Sequence, residues 1–469
     1  MCRVSKMSDL FKPIREKMTQ KGVSEVAIRC FERAFRLISS GVSMHLSEAD
    51  ISPATGVQDY QTLAQRENFD PALVAQTVII KLNGGLGTSM GLKKVKSLLE
   101  VRPGVNFLDL MVRQVLSLRL KTGSEVKFLL MNSQASSDDT QHYLRGVVPE
   151  LGDPVDIELM QSWAPKLNCA DLTPVFHSEN PELEWCPPGH ADVYPSLVAS
   201  GWLDRLLESG VKYAFMSNSD NLGAVLDPTL LSYFAESGAP FLMEVTRRTD
   251  ADKKGGHLAE RIADGRLVLR EVAQCPKGDL DDFQNIEKHQ FFNMNNVWLN
   301  LESLRDILAE NDGVLPLPII QNKKTVDPRD SESAPIYQLE AAMGSAIECF
   351  TGALAVNVPR SRFAPVKSTS DLLALRSDAY EVHDDGQIAL VPSRNGVPPV
   401  VNLSSEYKHV DALEGLGVPS LIGADEVSVS GSVVFSGLVE VIGKVSFSGE
   451  SELVNAVPAG VYQNENWPV

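Results

Sequence analysis

Four short, continuous apolar runs between residues 77 and 245 constrain the fold of this chain more than any other feature. They occupy residues 77–82, 126–131, 213–216 and 241–245, and segments with helical patterns separate them. Strands that are apolar on both faces occur in sheets that helices cover on both sides, and such sheets are mostly parallel. The sequence therefore predicts an α/β domain over residues 76–375 with a mainly parallel, buried sheet. Ligands bind such sheets at the carboxyl ends of the strands.

The 75 residues before this domain have a helical pattern. Apolar residues recur there at three- and four-residue spacings, as on one face of a helix: Val23, Ala27, Cys30, Phe31, Ala34, Phe35 and Ile38. A polar stretch with Pro53, Gly56 and Pro71 then reads as a connection. Residues 1–75 are therefore predicted to form a helical segment that packs on the α/β domain.

Residues 376–469 are predicted to form a third unit, because they contain a repeat of six residues. Three sets of positions follow this period: Gly431, Gly437, Gly443 and Gly449; Val427, Val433, Val439 and Val445; Val429, Phe435, Val441 and Phe447. Coincident periods of this kind are typical of a parallel β-helix, in which aliphatic residues of successive coils stack. A plain meander of strands is the alternative. The exposed ends of a β-helix would offer a surface for a homo-oligomer.

Composition argues against several classes of protein. The chain of 469 residues has a formal net charge of −18, whereas nucleic-acid binding generally needs a basic surface. No apolar run approaches the roughly 20 residues of a membrane-spanning helix, and the first residues do not resemble a secretory signal. The six cysteines contain no C-x-x-C pair, which argues against a disulfide framework or a zinc site. We therefore expect a cytoplasmic protein with no nucleic-acid or membrane partner.

The strongest local motif is KLNGGLGTSMGLKKVK at residues 81–96, directly after the first apolar run. Its glycines permit a tight turn and leave backbone N–H groups open to an anion: Gly84, Gly85 and Gly87. Cationic side chains follow at Lys93, Lys94 and Lys96. The spacing matches neither the Walker nor the Rossmann pattern. The motif predicts a phosphate-binding loop, although a glycine-rich turn before a solvated basic helix would look similar.

Polar residues near the ends of later apolar runs suit phosphate and sugar chemistry. Asp220 follows the run at 213–216, and a carboxylate there is a hard oxygen ligand for Mg²⁺, unless it only caps a turn. The amide of Gln161 has both a donor and an acceptor, as do the asparagines of residues 293–296. Residues 360–367 contain three cations, Arg360, Arg362 and Lys367.

Taken together, these motifs closely resemble the UDP-glucose pyrophosphorylases of the eukaryotic type. The resemblance covers residues 75–375 and rests on motifs in the family's order: the loop at 81–96, MNS at 131–133, QS at 161–162, PPGH at 187–190, SNSDNLG at 217–223, KGG at 254–256, FNMNN at 292–296, QLE at 338–340 and VPRSRFAPVK at 358–367. Val95 stands where the family usually has proline, and Lys94 where glycine is common. Neither departure changes Lys96.

The resemblance implies a fold and a set of site residues. The fold would be a Rossmann-like, GT-A-like nucleotidyltransferase domain followed by a left-handed parallel β-helix. Lys96 and Lys367 would be catalytic, and Asp220 would hold Mg²⁺. The nucleotide would contact Leu82, Asn83, Gly84, Gly85, Lys96, Gln161, Gly189, Asp220 and Lys367. The sugar phosphate would contact His190, Asn218, Gly256, Asn293, Asn295 and Glu340.

The activity implied is that of a UTP–glucose-1-phosphate uridylyltransferase, which works without a covalent intermediate. Its substrates would be UTP and glucose 1-phosphate. One alternative is a wider or different sugar range, including galactose 1-phosphate or N-acetylglucosamine 1-phosphate. Ser89 and Met90 argue against N-acetylglucosamine 1-phosphate as the substrate, because the enzymes specific for that sugar usually carry arginine at this place. A non-catalytic UDP-sugar-binding scaffold is a further alternative. An acyltransferase is disfavoured because residues 410–469 contain no histidine to act as a base.

Overall fold

A computed structural model describes residues 2–64, 69–92, 94–147, 151–450 and 453–468, so the predicted cation Lys93 lies outside the described residues. The helices are α1 Cys2–Gln20, α2 Glu25–Ser39, α3 Tyr60–Leu63, α4 Ala72–Ala75, α5 Phe107–Thr122, α6 Gln134–Val147, α7 Val193–Ala199, α8 Trp202–Glu208, α9 Pro228–Ser237, α10 Leu280–Gln284, α11 Leu301–Glu310, α12 Thr369–Arg376 and α13 Val410–Leu416. Within the described residues, no helix is long and apolar enough to cross a bilayer.

The strands divide into a large central sheet, small accessory sheets and a C-terminal set. They are β1 Ile51–Pro53, β2 Gln58–Asp59, β3 Thr77–Asn83, β4 Glu100–Arg102, β5 Val105–Asn106, β6 Lys127–Asn132, β7 Glu158–Met160, β8 Ala164–Pro165, β9 Leu167–Asn168, β10 Trp185–Cys186, β11 Tyr213–Asn218, β12 Phe241–Arg247, β13 His257–Arg261, β14 Leu267–Arg270, β15 Phe291–Asn300, β16 Ile320–Thr325, β17 Pro335–Glu340, β18 Leu354–Asn357, β19 Tyr380–Val382, β20 Ile388–Leu390, β21 Val400–Leu403, β22 Ser420–Ser430, β23 Val433–Ser448, β24 Asn455–Gln463 and β25 Asn466–Pro468.

The central sheet has the order β7-β6-β3-β11-β15-β12-β18-β2. Strands β7, β6, β3 and β11 are mutually parallel, and so are β12, β18 and β2. The predicted parallel core is therefore confirmed, with one exception. Strand β15 runs antiparallel to both β11 and β12. Between β12 and β15, the chain forms the β13–β14 hairpin, and His257 at the start of β13 pairs with Phe292 of β15. Strand β15 therefore begins beside the end of β12.

The apolar runs became strands that are buried on both faces, as predicted. All seven residues of β3 are buried. Alternate residues of a strand face opposite sides of the sheet, and here Ile79 joins one apolar core while Val78 and Ile80 join the other. The first core includes α5 and α9, and the second includes α7, α8 and α11. Helices thus cover both faces of the sheet.

The N-terminal helices pack beside the sheet on a small apolar core of their own. The side chain of Ser24 accepts a hydrogen bond from the N–H of Ala27 at the start of α2. Phe31 and Phe35 of α2 are buried and share that core with Trp185 and Leu339. The helical pattern predicted from the apolar spacing is confirmed, and its apolar face contacts the inserted strands β8, β10 and β17.

The C-terminal strands β21 to β25 are paired in parallel. Val427 lies opposite Val445, which is three six-residue repeats later, and Val429 lies opposite Phe447 in the same way. Each of the predicted inward positions is buried: Val427, Val429, Val433, Phe435, Val439, Val441, Val445 and Phe447. Gly431 and Gly443 have φ angles of 72° and 67°, which a side chain would disfavour.

Candidate active site

The glycine-rich segment leaves the sheet where three parallel strands end together. Leu82 of β3 is aligned with Asn218 of β11, and Asn83 of β3 with Asn132 of β6. After the strand, Gly87 has a φ of 62°, and the N–H of Lys96 donates to the carbonyl of Gly85 over 3.0 Å. A closed loop therefore lies at the edge of the sheet where ligands of α/β domains bind.

The glycines of this loop expose their backbone. A Cβ atom at Gly85 would meet nothing within 4 Å, so this part of the loop faces open space. A Cβ at Gly84 would lie 3.0 Å from Oε1 of Gln161. The loop can thus approach a ligand closely at Gly85. The absence of a side chain at Gly84 lets the Gln161 amide pack against the backbone there.

The ammonium of Lys96 lies 2.7 Å from Oδ2 of Asp220. The two side chains are 15% and 20% exposed, so the ion pair is largely shielded from solvent. The other carboxylate oxygen, Oδ1 of Asp220, is buried and has no hydrogen-bond partner. A buried carboxylate oxygen without a partner destabilises the fold unless a ligand binds to it. The residues predicted to bind phosphate and metal are therefore in contact.

Asp220 is the carboxylate best placed here to hold a divalent cation. The described residues contain no group of three or more His, Cys, Asp or Glu side chains that could enclose a metal. Mg²⁺ is commonly bound by one or two carboxylates, with substrate phosphates and water as its other ligands. The free oxygen of Asp220 at the phosphate-binding loop fits a metal held in that way, and does not fit a metal held by protein ligands alone.

The segment that carries Lys367 is attached directly to the Asp220 turn. The N–H of Val366 donates to the carbonyl of Asp220 over 3.1 Å, and the N–H of Ala364 donates to Oδ1 of Asn221 over 2.9 Å. Lys367 is exposed, and its own N–H donates to Asp371 over 2.8 Å. Lys96 thus contacts the Asp220 side chain, while the residue before Lys367 contacts the Asp220 backbone.

The structure separates the three cations of residues 360–367. Both guanidinium nitrogens of Arg360 donate to Asp252, over 2.7 and 2.9 Å. Arg362 donates to the buried Glu244 over 2.8 and 2.7 Å. Among the described residues, Lys367 alone of the three forms no ion pair, so it remains available to a ligand. The three cations noted in the sequence are therefore two arginines in ion pairs and one lysine without an ion pair among the described residues.

Buried polar contacts around Lys81 lie under the glycine-rich loop, and the sequence analysis did not identify them. Nζ of Lys81 donates to Ser217 over 2.9 Å and to the carbonyl of Ala224 over 2.5 Å. Burial lowers the pKa of Lys81 to about 7, and the positive charge of Arg362 acts in the same direction. Lys81 stands inside an apolar strand, where sequence alone gives no sign of its partners. These contacts join β3 to β11 beneath the site.

The predicted amide residues come together at a bulge in β15. The pairing with β12 shifts between Asn296, opposite Glu244, and Asn293, opposite Val245. Asn295 lies in the bulge with a φ of 56°, and its Nδ2 donates to Oδ1 of Asn218 over 2.8 Å. Bulges of this kind commonly redirect side chains at active sites.

Two further observations describe the surroundings of this bulge. Oδ1 of Asn295 is buried without a partner, and the N–H of Asn293 donates to the carbonyl of Gly256 over 3.0 Å. Asn218, Gly256, Asn293 and Asn295 are thus neighbours, as the resemblance implied.

Glu271 is a second residue that the sequence analysis missed. A Cβ at Gly256 would lie 2.7 Å from its carboxylate, so Gly256 makes room for this acid. Burial raises the pKa of Glu271, and the charge of Lys367 opposes that effect. Its position directly after strand β14 was the signal that could have identified it.

The turn at residues 187–190 contributes Gly189 and His190. Gly189 has a φ of 88°, and a Cβ there would lie 2.5 Å from the carbonyl oxygen of Ala341. Nε2 of Gln161 donates to the carbonyl of Gly189 over 3.1 Å, which links the residue predicted to recognise the base with this turn.

His190 is neutral in this turn. Its Nδ1 accepts a hydrogen bond from the N–H of Met343 over 2.7 Å, and burial lowers its pKa to about 4. The neutral ring therefore carries its proton on Nε2 and can donate it to a ligand.

Two of the predicted contact residues have side chains among other groups. Asn83 turns its side chain away from the loop, and its Nδ2 donates to Asn132 and Thr140 over 2.8 and 3.0 Å. Glu340 lines an apolar cavity of about 70 Å³ together with Cys30 and Phe31 of α2. The carboxylate beside Gly256 is Glu271, so geometry favours Glu271 over Glu340 as the acid on that side.

Known proteins are similar to this chain in sequence and architecture. The family model described as UTP–glucose-1-phosphate uridylyltransferase matches residues 28–441. The UTP–glucose-1-phosphate uridylyltransferase of Solanum tuberosum is 41% identical over 432 residues, covering 90% of this chain and 88% of that one. The Saccharomyces cerevisiae enzyme of the same description is 41% identical over 382 residues, covering 80% of this chain and 74% of that one.

Solved structures extend this likeness to nearly the whole chain. A Trypanosoma brucei structure described as UDP-glucose phosphorylase is 46% identical with a TM-score of 0.90, covering 98% of this chain and 100% of that one. A mutant UDP-glucose pyrophosphorylase from Leishmania major in complex with UDP-glucose is 42% identical with a TM-score of 0.92, covering 98% and 99%. The chain therefore belongs to the UTP–glucose-1-phosphate uridylyltransferase family, the UDP-glucose pyrophosphorylases.

Proposed function

We propose that this protein joins UTP to glucose 1-phosphate and forms UDP-glucose and pyrophosphate. The observation that carries the proposal is the Lys96–Asp220 pair, with its unpartnered Oδ1, at the glycine-rich loop. Membership of the family and the UDP-glucose complex of the Leishmania major relative support the choice of substrates.

The nucleotide would lie along the ends of β3 and β6. The open backbone of Gly85 suits a phosphate, and the Gln161 amide, fixed against Gly84 and Gly189, suits the edge of uracil. Leu82 and Asn83 would contribute through the strand end that shapes the loop, because the side chain of Asn83 is engaged elsewhere.

The sugar phosphate would lie on the other side of Asp220. His190 would donate from Nε2 to a phosphate oxygen, since its Nδ1 is already occupied. Glucose hydroxyls both donate and accept, and the amides at the bulge offer both kinds of partner. The proposed sugar contacts are Asn218, Gly256, Asn293, Asn295 and Glu271.

The chemical step would be attack by a phosphate oxygen of glucose 1-phosphate on the α-phosphorus of UTP, with pyrophosphate leaving. Such transfers need positioning and charge neutralisation more than a protein nucleophile, so no covalent intermediate is required. Lys96 and Lys367 would stabilise the reacting phosphates beside Asp220. Mg²⁺, when bound at Asp220, would supply further neutralisation of phosphate charge.

The proposal includes an architecture of three parts, with a helical segment at 1–75, a Rossmann-like catalytic domain at 76–375 and a left-handed parallel β-helix at 376–469. Parallel pairing of residues three repeats apart supports the β-helix. Its exposed apolar side chains, including Leu438 and Val461, are proposed to join copies of the chain. The free thiols of Cys30, Cys169, Cys186, Cys275 and Cys349 suit the reducing environment of the cytoplasm.

Pyrophosphate release tests the proposed function. The purified protein with Mg²⁺, UTP and glucose 1-phosphate should release pyrophosphate, and a chelator should abolish the reaction. Galactose 1-phosphate and N-acetylglucosamine 1-phosphate, assayed in parallel, define the sugar range, and glucose 1-phosphate should give the highest kcat/KM. No release with any sugar phosphate, combined with tight binding of UDP-glucose, would instead identify a non-catalytic binding protein.

A further inference from the structure

Asp192 is a buried carboxylate that the proposed chemistry does not use. It is 6% exposed, and among the described residues no lysine or arginine forms an ion pair with it. Its Oδ2 accepts hydrogen bonds from the N–H of Ser162 over 2.6 Å and from the hydroxyl of Ser196 over 3.0 Å. Burying a carboxylate without a cation is costly, and such groups concentrate at functional sites.

The hydrogen bond to Ser162 acts on the residue next to Gln161. The N–H of Gln161 donates to the carbonyl of Asn132 at the end of β6 over 2.8 Å, which fixes one side of this segment. On the other side, Nε2 of Gln161 donates to the carbonyl of Gly189, and the N–H of Ser162 donates to Asp192. Two hydrogen bonds therefore join residues 161–162 to residues 189–192.

The two joined segments hold groups for different parts of the nucleotide site. Gln161 is proposed to meet the uracil edge, and His190, two residues before Asp192, is proposed to meet the sugar phosphate. The hydrogen bond from Gln161 to Gly189 uses the same side chain that must recognise the base. Asp192 supplies a second link between the segments, through the backbone of Ser162 and not through the Gln161 side chain.

We propose that Asp192 is a positioning residue for uracil recognition, whose carboxylate holds residues 161–162 against the turn at 189–192 and so sets where the Gln161 amide meets the base. This inference rests on the proposed function. Asp192 would act through Ser162 rather than by touching the substrate, so its loss should affect selection of the base more than the chemical step.

The ionisation of Asp192 adds a pH dependence to this link. Burial raises its pKa to about 6, and the hydrogen bonds from Ser162 and Ser196 oppose that rise. Hydrogen bonds to a charged carboxylate are roughly twice as strong as those to a neutral group. Protonation of Asp192 below pH 6 should therefore weaken its hold on Ser162.

Other ionisable groups line the same cavity as Asp192: Cys30 and Arg33 of α2, Tyr194 of α7 and Glu340 of β17. His190 is two residues away along the chain. Burial raises the pKa of Cys30 to about 12 and lowers that of His190 to about 4, while the pKa of Tyr194 is also raised. Arg33 keeps its charge throughout this range. Glu340 is the remaining acid, and a Glu340→Gln variant separates its contribution from that of Asp192.

The raised pKa also predicts the effect on stability. Because the folded protein binds this proton more tightly than the unfolded chain, the carboxyl stabilises the fold at low pH, and that contribution is lost as the pH rises through 6. At pH 7.5 the charged Asp192 thus opposes folding. Replacing it by asparagine should leave the melting temperature at pH 7.5 unchanged or raise it, while nucleotide selection becomes worse.

The test compares nucleotide selection in Asp192→Ala and Asp192→Asn with that of the wild type. Asp192→Ala should lower the ratio of kcat/KM for UTP over CTP by about tenfold, the value of one lost hydrogen bond near a base. Ser200→Ala is the control. It removes a hydroxyl from the C-terminal end of α7, the helix that begins after Asp192, and should leave the UTP-over-CTP ratio unchanged. A ratio for Asp192→Ala within twofold of the wild type would overturn the inference.

The asparagine variant decides the matter if Asp192→Ala does not fold. At pH 7.5 Asp192→Asn should raise the KM for UTP about threefold. At pH 5.5, below the pKa of about 6, most of the wild-type carboxyl is protonated. There, the KM of Asp192→Asn divided by the KM of the wild type should approach one. The ratio is the relevant quantity because UTP titrates in the same range. A ratio that does not change with pH contradicts the inference.

The wild-type assay separates this inference from the proposed function. A wild type that releases no pyrophosphate contradicts the proposed function, and calorimetric binding of UTP and CTP to the same variants then gives the comparison. An active wild type with unchanged selection in both Asp192 variants contradicts only the role of Asp192.

Discussion

At the scale of single residues, the central feature is that Lys96 and Asp220 form an ion pair with each other. The 2.7 Å contact holds the lysine at the mouth of the loop, and Oδ1 of Asp220 stays unpaired behind it. Breaking a largely shielded ion pair is costly when either charge is left without a partner. Exchange is therefore expected only when both groups gain new partners together, a phosphate for Lys96 and a metal ion for Asp220.

Lys96→Ala and Lys367→Ala should each lower kcat/KM by about 100-fold or more, the usual effect of removing one electrostatic partner of a reacting group. The melting temperatures should change little, because neither lysine is part of an apolar core. Lys444→Ala is the matched control, since that lysine lies on the C-terminal strands and only approaches Glu426, at 3.5 Å. Turnover close to wild type in Lys367→Ala would contradict the assignment.

Sequence patterns predicted these residues because each follows a buried strand or belongs to a family motif. They could not predict which cations are free. Arg360, Arg362 and Lys367 look alike in the sequence, and only the fold shows that two acids distant along the chain, Asp252 and Glu244, pair with the two arginines. Glu271 was missed for a related reason, because its neighbour Gly256 is close in space but distant along the chain.

At the scale of secondary structure, the sequence predicted the positions of the main strands but not the direction of every strand. The apolar runs became β3, β6, β11 and β12, each extending one or two residues further than its run. The antiparallel direction of β15 and its bulge at Asn295 depend on the β13–β14 hairpin, which has no distinct apolar signal. That bulge brings the predicted amides together.

The C-terminal strands permit a prediction about assembly. Strand β24 lies at the end of the parallel ladder, and Val461 on it is 60% exposed, while Leu438 on β23 is 70% exposed. An uncovered strand end with apolar side chains tends to pair with another chain. Light scattering should give a mass above the 51.2 kDa of one chain, and Leu438→Lys with Val461→Lys should return it to that value. A wild type that is monomeric at micromolar concentration would contradict this contact.

At the scale of the whole molecule, the site lies where three parts of the chain meet the sheet. The loop after β3, the Asp220 turn after β11 and the segment leading to Lys367 are joined by backbone hydrogen bonds. The turn at 187–190 is fixed from behind by Met343 and Ala341. A strongly acidic protein thus has Lys96 and the segment of Lys367 at the Asp220 turn, where its anionic ligands are proposed to bind.

A crystal structure with UDP-glucose and Mg²⁺ bound tests this account most directly. We expect the uracil against Gln161 and Gly189, the diphosphate within hydrogen-bonding distance of Lys367, and the glucose beside Asn218 and Asn295. We also expect Asp220 to have exchanged Lys96 for the metal. A nucleotide bound far from Asp220 and Lys367 would contradict the site, and the proposed role of each residue in it.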